Sequence, residues 1–474
     1  MKLYHHSISR SWKSWFADCP LLPSHLPRLV LADRYQPRFV RRCPITQALC
    51  ARLRLLDWEQ LPTTLAMQPG GERTVPLAAY VGAYLVKLDQ GLSTFGALRR
   101  FLRDHPALVW ALGFPLVDDG SRALPFNPDI SLPTQRHFSK KLSSLPNEVL
   151  QNLLDGQVDW LKQRLVPDFG QVISLDTKHV LAWVRENNPK AFIKEGRFDK
   201  KQQPAGDPDC KLGCKRSRNQ VTPAKEGKPA GAKVSIGEYY WGYASGVVAT
   251  KVAGVGEFVL AELTQTFDHG DATYFFPLME QVESRLGFRP RYGTADAAFD
   301  SFYVYDYFHS PEHEGFAAVP LRQMNQVRTF DDEGLPLCEA GLAMPLVGAY
   351  TNRTSLVQHQ RGRYGCPLLH PEPSGESCPV DHKKWPDGGC TLVTPTAIGA
   401  RIRYQLDRDG EAYKAIYNQR TAVERIFSQA VHFSIERPKL RNELSIANLN
   451  TLIYILINLR AMERLSATLA PESR

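Results

Sequence analysis

The chain has 474 residues, 43% hydrophobic and 23% charged, an ordinary globular balance that excludes wholesale disorder and leaves room for roughly two or three domains. Its net charge of +9 favours a polyanionic partner. Nine cysteines, an odd number spread over a long chain, and an N-terminus (MKLYHHSISRSWKSWFADCP) without a continuous apolar stretch point to a reducing, cytoplasmic setting, away from a secreted disulfide framework.

Residues 1–165 read as a mainly helical region. Apolar residues recur at three- and four-residue steps through 75–114, and Gly113 and Pro115 mark the end of that pattern. A Pro- and Asp-rich link (115–133) leads to a second helical pair, 133–145 and 146–165. Thr134 is placed to cap the first of these, which gathers Arg136, Lys140 and Lys141. It reads either as a recognition helix of a helix-turn-helix that binds DNA ends or as a solvated basic face.

From about residue 170 the pattern changes to strands. QVISLDTKHVLAWV (171–184) is rich in strand formers, and 237–252 and 256–267 read as two more strands joined by a Gly-containing turn. A helix is predicted over 271–287, with Asp271 near its start and Gly287 at its end, then a short strand (291–299), a helix (301–310) and a strand (315–321). Three strands, a helix, a strand, a helix, a strand and a later helix is the order of a ribonuclease-H-like α/β domain, a mixed sheet flanked by helices, expected over 166–464. Two stretches interrupt it: a Pro/Gly-punctuated basic segment (186–233), expected to be a long loop, and a Cys/Pro-rich insertion (322–408) before the last catalytic helix. The most apolar segment, 445–462, is broken by Asn448, Asn450 and Asn458; this predicts a buried helix and not a membrane span. Residues 465–474 read as a tail.

The segment IYNQRTAVERIFSQAV (416–431) carries the most chemistry. Tyr417, Arg420 and Glu424 share one helix face by their spacing, while Ile416, Val423, Ile426 and Ala430 form an apolar stripe that would seat the helix on a core. Two strand-borne acids lie upstream, Asp176 and Asp296. Each alone has an ordinary explanation: Asp176 a strand end, Glu424 an i,i+4 partner of Arg420. Asp296 competes with Asp300, which reads as the cap of the following helix. Together, on strand, strand and helix, they suit a hard Mg²⁺ (or Mn²⁺) site that performs phosphodiester chemistry, with Tyr417 and Arg420 on the phosphate backbone. Lys215, Arg216 and Arg218 in the basic segment are expected to hold further phosphates without reading bases.

SLDTKHV (174–180), TADAAFDSFYVY (294–305) and YNQRTAVERIF (417–427) resemble the three acidic motifs of bacterial insertion-sequence transposases of the DDE type. The nearest branch is insertion sequence family four, whose last motif reads Tyr, two residues, Arg, three residues, Glu. The resemblance covers about residues 165–460. It implies a ribonuclease-H-like fold, Mg²⁺-dependent cutting at transposon terminal repeats, transfer of the ends into target DNA, and a homodimer assembled on DNA. Asp176, Asp296 and Glu424 would be the catalytic, metal-holding acids. The family motif often continues to a Lys seven residues after the Glu; this chain has Val431 there. Either His432, or Arg437, Lys439 and Arg441 just beyond, replaces that phosphate contact, or activity is reduced. Ala298 and Phe299 stand where relatives often have Gly and Tyr.

Within the insertion, Cys366, Cys378, His382 and Cys390 offer a Cys₃His set for a structural Zn²⁺, though without tight paired-Cys spacing; the alternative is free thiols in a Pro/Gly-rich loop. Cys210 and Cys214 form a weaker second pair. Two rival readings of the whole remain open: a nuclease of the same fold that cuts without joining, and a non-catalytic DNA-binding relative.

Overall fold

The computed structural model describes residues 22–23, 25–63, 74–120, 125–165, 167–188, 197–220, 234–309, 314–322 and 328–469, with the backbone alone described at 216–220 and 234–237. The N-terminal part is helical as its periodicity predicts: α1 (Pro44–Leu53), α2 (Leu77–Asp89), α3 (Phe95–Asp104), α4 (Pro106–Leu112), α5 (Gln135–Ser144) and α6 (Asn147–Lys162), besides single-turn pieces. The Thr134 hydroxyl caps α5 by accepting from the His137 N–H at 3.3 Å. That helix buries Phe138 and Leu142 and leaves Arg136 and Lys140 exposed.

Beyond it lies a mixed six-stranded sheet: β1 (Val172–Leu181), β2 (Lys211–Gln220), β3 (Val234–Val252), β4 (Gly256–Thr266), β5 (Tyr292–Thr294) and β6 (Phe316–Ala318). Across it the strands run β4-β3-β1-β5-β6, with β1, β5 and β6 mutually parallel and β3 antiparallel to β1 and β4. β2 pairs with the first half of β3, from Lys211 opposite Gly242 to Gln220 opposite Val234. The basic segment 186–233 is therefore not a continuous loop. Residues 211–220 form a strand with few apolar positions, its ladder provided by an unusually long β3; 189–196 and 221–233 lie outside the described residues.

The two faces of the sheet are covered differently. Ile173 and Leu175 of β1 and Phe258 and Leu260 of β4 pack with Phe275, Leu278 and Val282 of α7 (Phe275–Leu286) and with α8 (Phe302–Phe308). Gly287 ends α7 in the left-handed conformation (φ 76°), as expected of a helix-stopping glycine. Gly246 of β3 lies so close to Tyr274 that a Cβ there would collide with its ring. On the opposite face, Val180, Val247, Ala249 and Val259 pack with Val423, Ile426 and Ala430 of the helix bearing Glu424, and the same core continues into the N-terminal helices.

A helix closes the insertion, α9 (Gly399–Gln405), and three follow it: α10 (Glu411–Tyr417), α11 (Thr421–His432) and α12 (Glu443–Leu469). Among the described residues α12 alone is long and apolar enough to cross a membrane, but 83% of its most apolar window is buried inside the protein. Its interrupting asparagines all find partners there. Asn448 donates to the Leu142 and Leu145 carbonyls, Asn450 donates to the Thr264 hydroxyl, and Asn458 exchanges two hydrogen bonds with the Val259 backbone of β4. The helix runs through Leu469, into the segment expected to be a tail.

Between β6 and the Glu424 helix lies a second sheet, β7 (Leu346–Asn352), β8 (His359–Tyr364) and β9 (Leu392–Pro395), antiparallel in that order.

Candidate active site

Ser174 of β1 lies opposite Thr294 of β5 in the parallel ladder. Asp176 and Asp296 each follow two residues later, and a two-residue step along extended chain returns a side chain to the same face. Asp296 keeps extended backbone (φ −81°, ψ 175°) just past the end of β5, and its carboxylate accepts from the Ala298 N–H at 2.8 Å. Strand pairing thus brings together two acids that stand far apart in the sequence.

Glu424 reaches this edge from α11. The apolar stripe is as predicted: Val423, Ile426 and Ala430 are fully buried, and Ile416 is half-buried. The expected single helix face is modified, however. Tyr417 ends α10, a tight turn (Asn418–Arg420) intervenes, and α11 begins at Thr421. Tyr417 stacks on Tyr413, their ring centroids 5.7 Å apart. The Ser174 hydroxyl donates to the Gln419 carbonyl at 3.2 Å, tying the turn to β1. That tie sets Arg420 between the acids: one guanidinium nitrogen lies 3.5 Å from Asp176 Oδ2, and the other pairs with Glu424.

Burial, opposed by the Thr177 N–H and reinforced by the like charge of Asp296, pushes the Asp176 carboxyl up to about 7. Burial also raises Asp296, with Asp271 adding to the effect and Arg420 opposing it. Asp271 is a fourth acid, one that the sequence pattern places only near a helix start. It acts electrostatically on both Asp176 and Asp296, and its Oδ1 accepts from the Thr177 hydroxyl at 2.6 Å. Nothing local in the sequence distinguishes it.

Asp300 is not the helix cap that its position suggests. Ser301 occupies the capping position, and the Asp300 side chain is fully buried in a pair with Arg403 of α9. It also accepts from the Tyr305 hydroxyl at 2.9 Å and from the Arg322 N–H at 2.7 Å. With both oxygens engaged, Asp300 is unavailable to the edge where Asp176 and Asp296 meet.

The basic residues continue from that edge. Lys178, two residues beyond Asp176 on the same face of β1, pairs with Glu436 at 2.5 Å. Lys215 of β2 and Arg437 also act on Glu436, and Lys439 lies 5.8 Å from the Trp183 ring centroid. Lys215, Arg437, Lys439 and Arg441 all reach solvent. The side chains of Arg216 and Arg218 lie outside the described residues. Val431, where the resembled motif has Lys, is 40% exposed, and His432 beside it is exposed too.

The cysteines of the insertion group differently from expectation. Cys390 has Cys366 as its hydrogen-bonding neighbour and Cys338 nearby, and burial with these thiols pushes it up to about 12. His382 instead faces Glu339 at 3.8 Å, and its Nδ1 accepts from the Lys384 N–H. Neither Cys210, which is buried, nor Cys214, which is exposed, is joined in a disulfide. Among the described residues, no three side chains of His, Cys, Asp or Glu stand close enough together to hold a metal ion. This applies to the Cys₃His set and equally to Asp176, Asp296 and Glu424 as they stand, with Glu424 turned to Arg420. The acid edge nevertheless presents only oxygen donors, which suit a hard divalent cation and not a soft one. No protein-family model and no curated protein matches the sequence.

Proposed function

We propose that this chain is a DDE-type DNA transposase that cuts DNA at transposon ends and transfers those ends into target DNA. The observation that carries the reading is the register of β1 and β5, which sets Asp176 and Asp296 on one face beside the helix presenting Glu424. Two further features support it. The strand order β4-β3-β1-β5-β6, in which β3 alone runs antiparallel to the other four, is compatible with a ribonuclease-H-like sheet. Lys178, Lys215, Arg437 and Lys439 gather about the far half of β1 and its continuation, as a polyanion passing the acids would require.

Asp176, Asp296 and Glu424 would hold Mg²⁺ or Mn²⁺, with Asp271 steadying Thr177 beside them. A pair of such ions about 4 Å apart supplies activation of the attacking oxygen and stabilisation of the leaving one. Arg420 and Tyr417 position the phosphates that flank the scissile bond, Arg420 through a planar fork that matches a phosphate bidentately. Lys178, Lys215, Arg437, Lys439 and Arg441 hold the backbone farther along. In this reading the partners are terminal-repeat and target DNA, the working assembly is a dimer on DNA, and the setting is the cytoplasm, at the nucleoid.

The test is an end-cleavage and joining assay on DNA carrying the sequences that flank the gene, with Mg²⁺, comparing wild type with Glu424→Gln. Wild type should cut and join, and the variant should lose orders of magnitude in rate while binding DNA normally. Cutting without joining would favour a nuclease of this fold. Equal cutting by both proteins would overturn the site.

A further inference from the structure

Arg420 has two partners in the structure and a third in the proposed reaction. Its guanidinium bridges Asp176 and Glu424, which lie on different elements, and it acts on Asp296 as well. These are the three acids proposed to hold the metal. In the DNA complex the same guanidinium would grip a phosphate. It cannot do all of this at once. For Glu424 to turn toward an ion shared with Asp176, Arg420 must release it, and a guanidinium left between the carboxylates would repel the ion it adjoins. Arg420 is partly exposed, its side chain 24% accessible, so it has room to swing outward.

We propose that Arg420 is the resting counter-ion of the acid site, and that a DNA phosphate, by drawing it away, opens the site to the divalent cation. This rests on the transposase reading of the site and adds a regulatory property to it. Cation and DNA then bind with positive coupling, because each favours the arrangement in which Arg420 has left the acids. Metal loading is thereby confined to protein that already holds a phosphate backbone, which restrains cutting chemistry in the DNA-free protein. The coupling is reciprocal: the cation strengthens DNA binding by the same factor that DNA strengthens cation binding.

The experiment reads Mn²⁺ binding to the full chain by loss of the free-ion electron paramagnetic resonance signal. It is run with and without a duplex that lacks the element's ends, so that no cutting intervenes. Asp176→Asn identifies which bound Mn²⁺ belongs to this site. In wild type the duplex should tighten that Mn²⁺ by about 5-fold or more. Arg420→Gln should bind Mn²⁺ more tightly than wild type without DNA, and the duplex should then add little. Arg420→Lys, which keeps the charge but can bridge less well, should fall between; it also serves if the Gln variant melts early. Mn²⁺ affinity in DNA-free Arg420→Gln equal to or weaker than wild type would overturn the proposal. So would an undiminished duplex effect in that variant. Failure of the transposase reading itself would show separately, as absence of cutting and of DNA binding, and would leave the DNA-free comparison of the two proteins intact.

Discussion

Two carboxylic acids in this molecule are pushed up to about 7 by burial, and they sit in opposite kinds of surroundings. Asp176 lies on the interior strand β1 just past its pairing with β5, where it acts with Asp296 and is bridged by a partly exposed Arg420. Glu262 of β4 is sealed between α12 and α6, where it accepts from the Thr451 hydroxyl at 2.5 Å and from Gln151 Nε2 at 2.6 Å. Its second oxygen has no hydrogen-bond partner among the described residues. The perturbation is alike, but the means of relief differ. In the proposed function an arriving cation would neutralise Asp176, whereas Glu262 has only its own proton and fixed neighbours. A displaced pKa therefore does not mark a functional acid by itself; access and convergence with other acids do.

The largest test of this contrast uses a third acid, Asp300, which is buried like Glu262 but fully paired. Asp300→Asn leaves Arg403 in a buried site without its counter-charge and should cost about 3–5 kcal/mol of stability in denaturant unfolding. DNA cleavage measured on the fraction still folded should persist. A folded Asp300→Asn protein with wild-type stability and no cleavage would exchange the roles of Asp296 and Asp300.

A smaller effect should separate Glu262 from Asp176. Each has a folded pKa above its ordinary value, so each contributes most to stability at low pH, and that contribution is lost as pH rises through about 7. Glu262→Gln removes this dependence and should gain on wild type in unfolding free energy between pH 5 and pH 8, by up to about 3 kcal/mol. Adding Mg²⁺ should leave that gain unchanged. For Asp176→Asn a gain of the same sign should appear in metal-free protein and shrink when Mg²⁺ and DNA are present. Identical behaviour of the two variants toward Mg²⁺ would remove the distinction between the sealed acid and the open one.

The smallest effect concerns the N-terminal helices, where no functional acid is involved. Thr134→Ala should cost about 1 kcal/mol, the usual loss for an N-cap, without altering the pH profile of unfolding. A pH-dependent change there would mean that the N-terminal helices and the Glu262 interface unfold as one unit.

The amino-acid pattern alone determined the features that depend on near neighbours. Thr134 caps a helix and Gly287 stops one because each acts on backbone within a turn of itself. The stripe of Val423, Ile426 and Ala430 faces a core because its spacing matches the helical repeat, and the same repeat brings Arg420 to Glu424. The Asn-interrupted segment 445–462 reads as a buried helix, and it is one, its amides bonded to α5, β4 and their surroundings. Tertiary structure alone decided the rest. Residues 211–220 became a strand because β3 offered a ladder, not because their own composition favours one. Asp300 became an anchor because Arg403 reached it from 103 positions away. Asp271 joined the acids because Thr177 of β1 drew it there. Local preference acts over a few residues of chain, whereas a buried charge or an added strand takes its partner from wherever the folded core brings one close, and no local pattern records that choice.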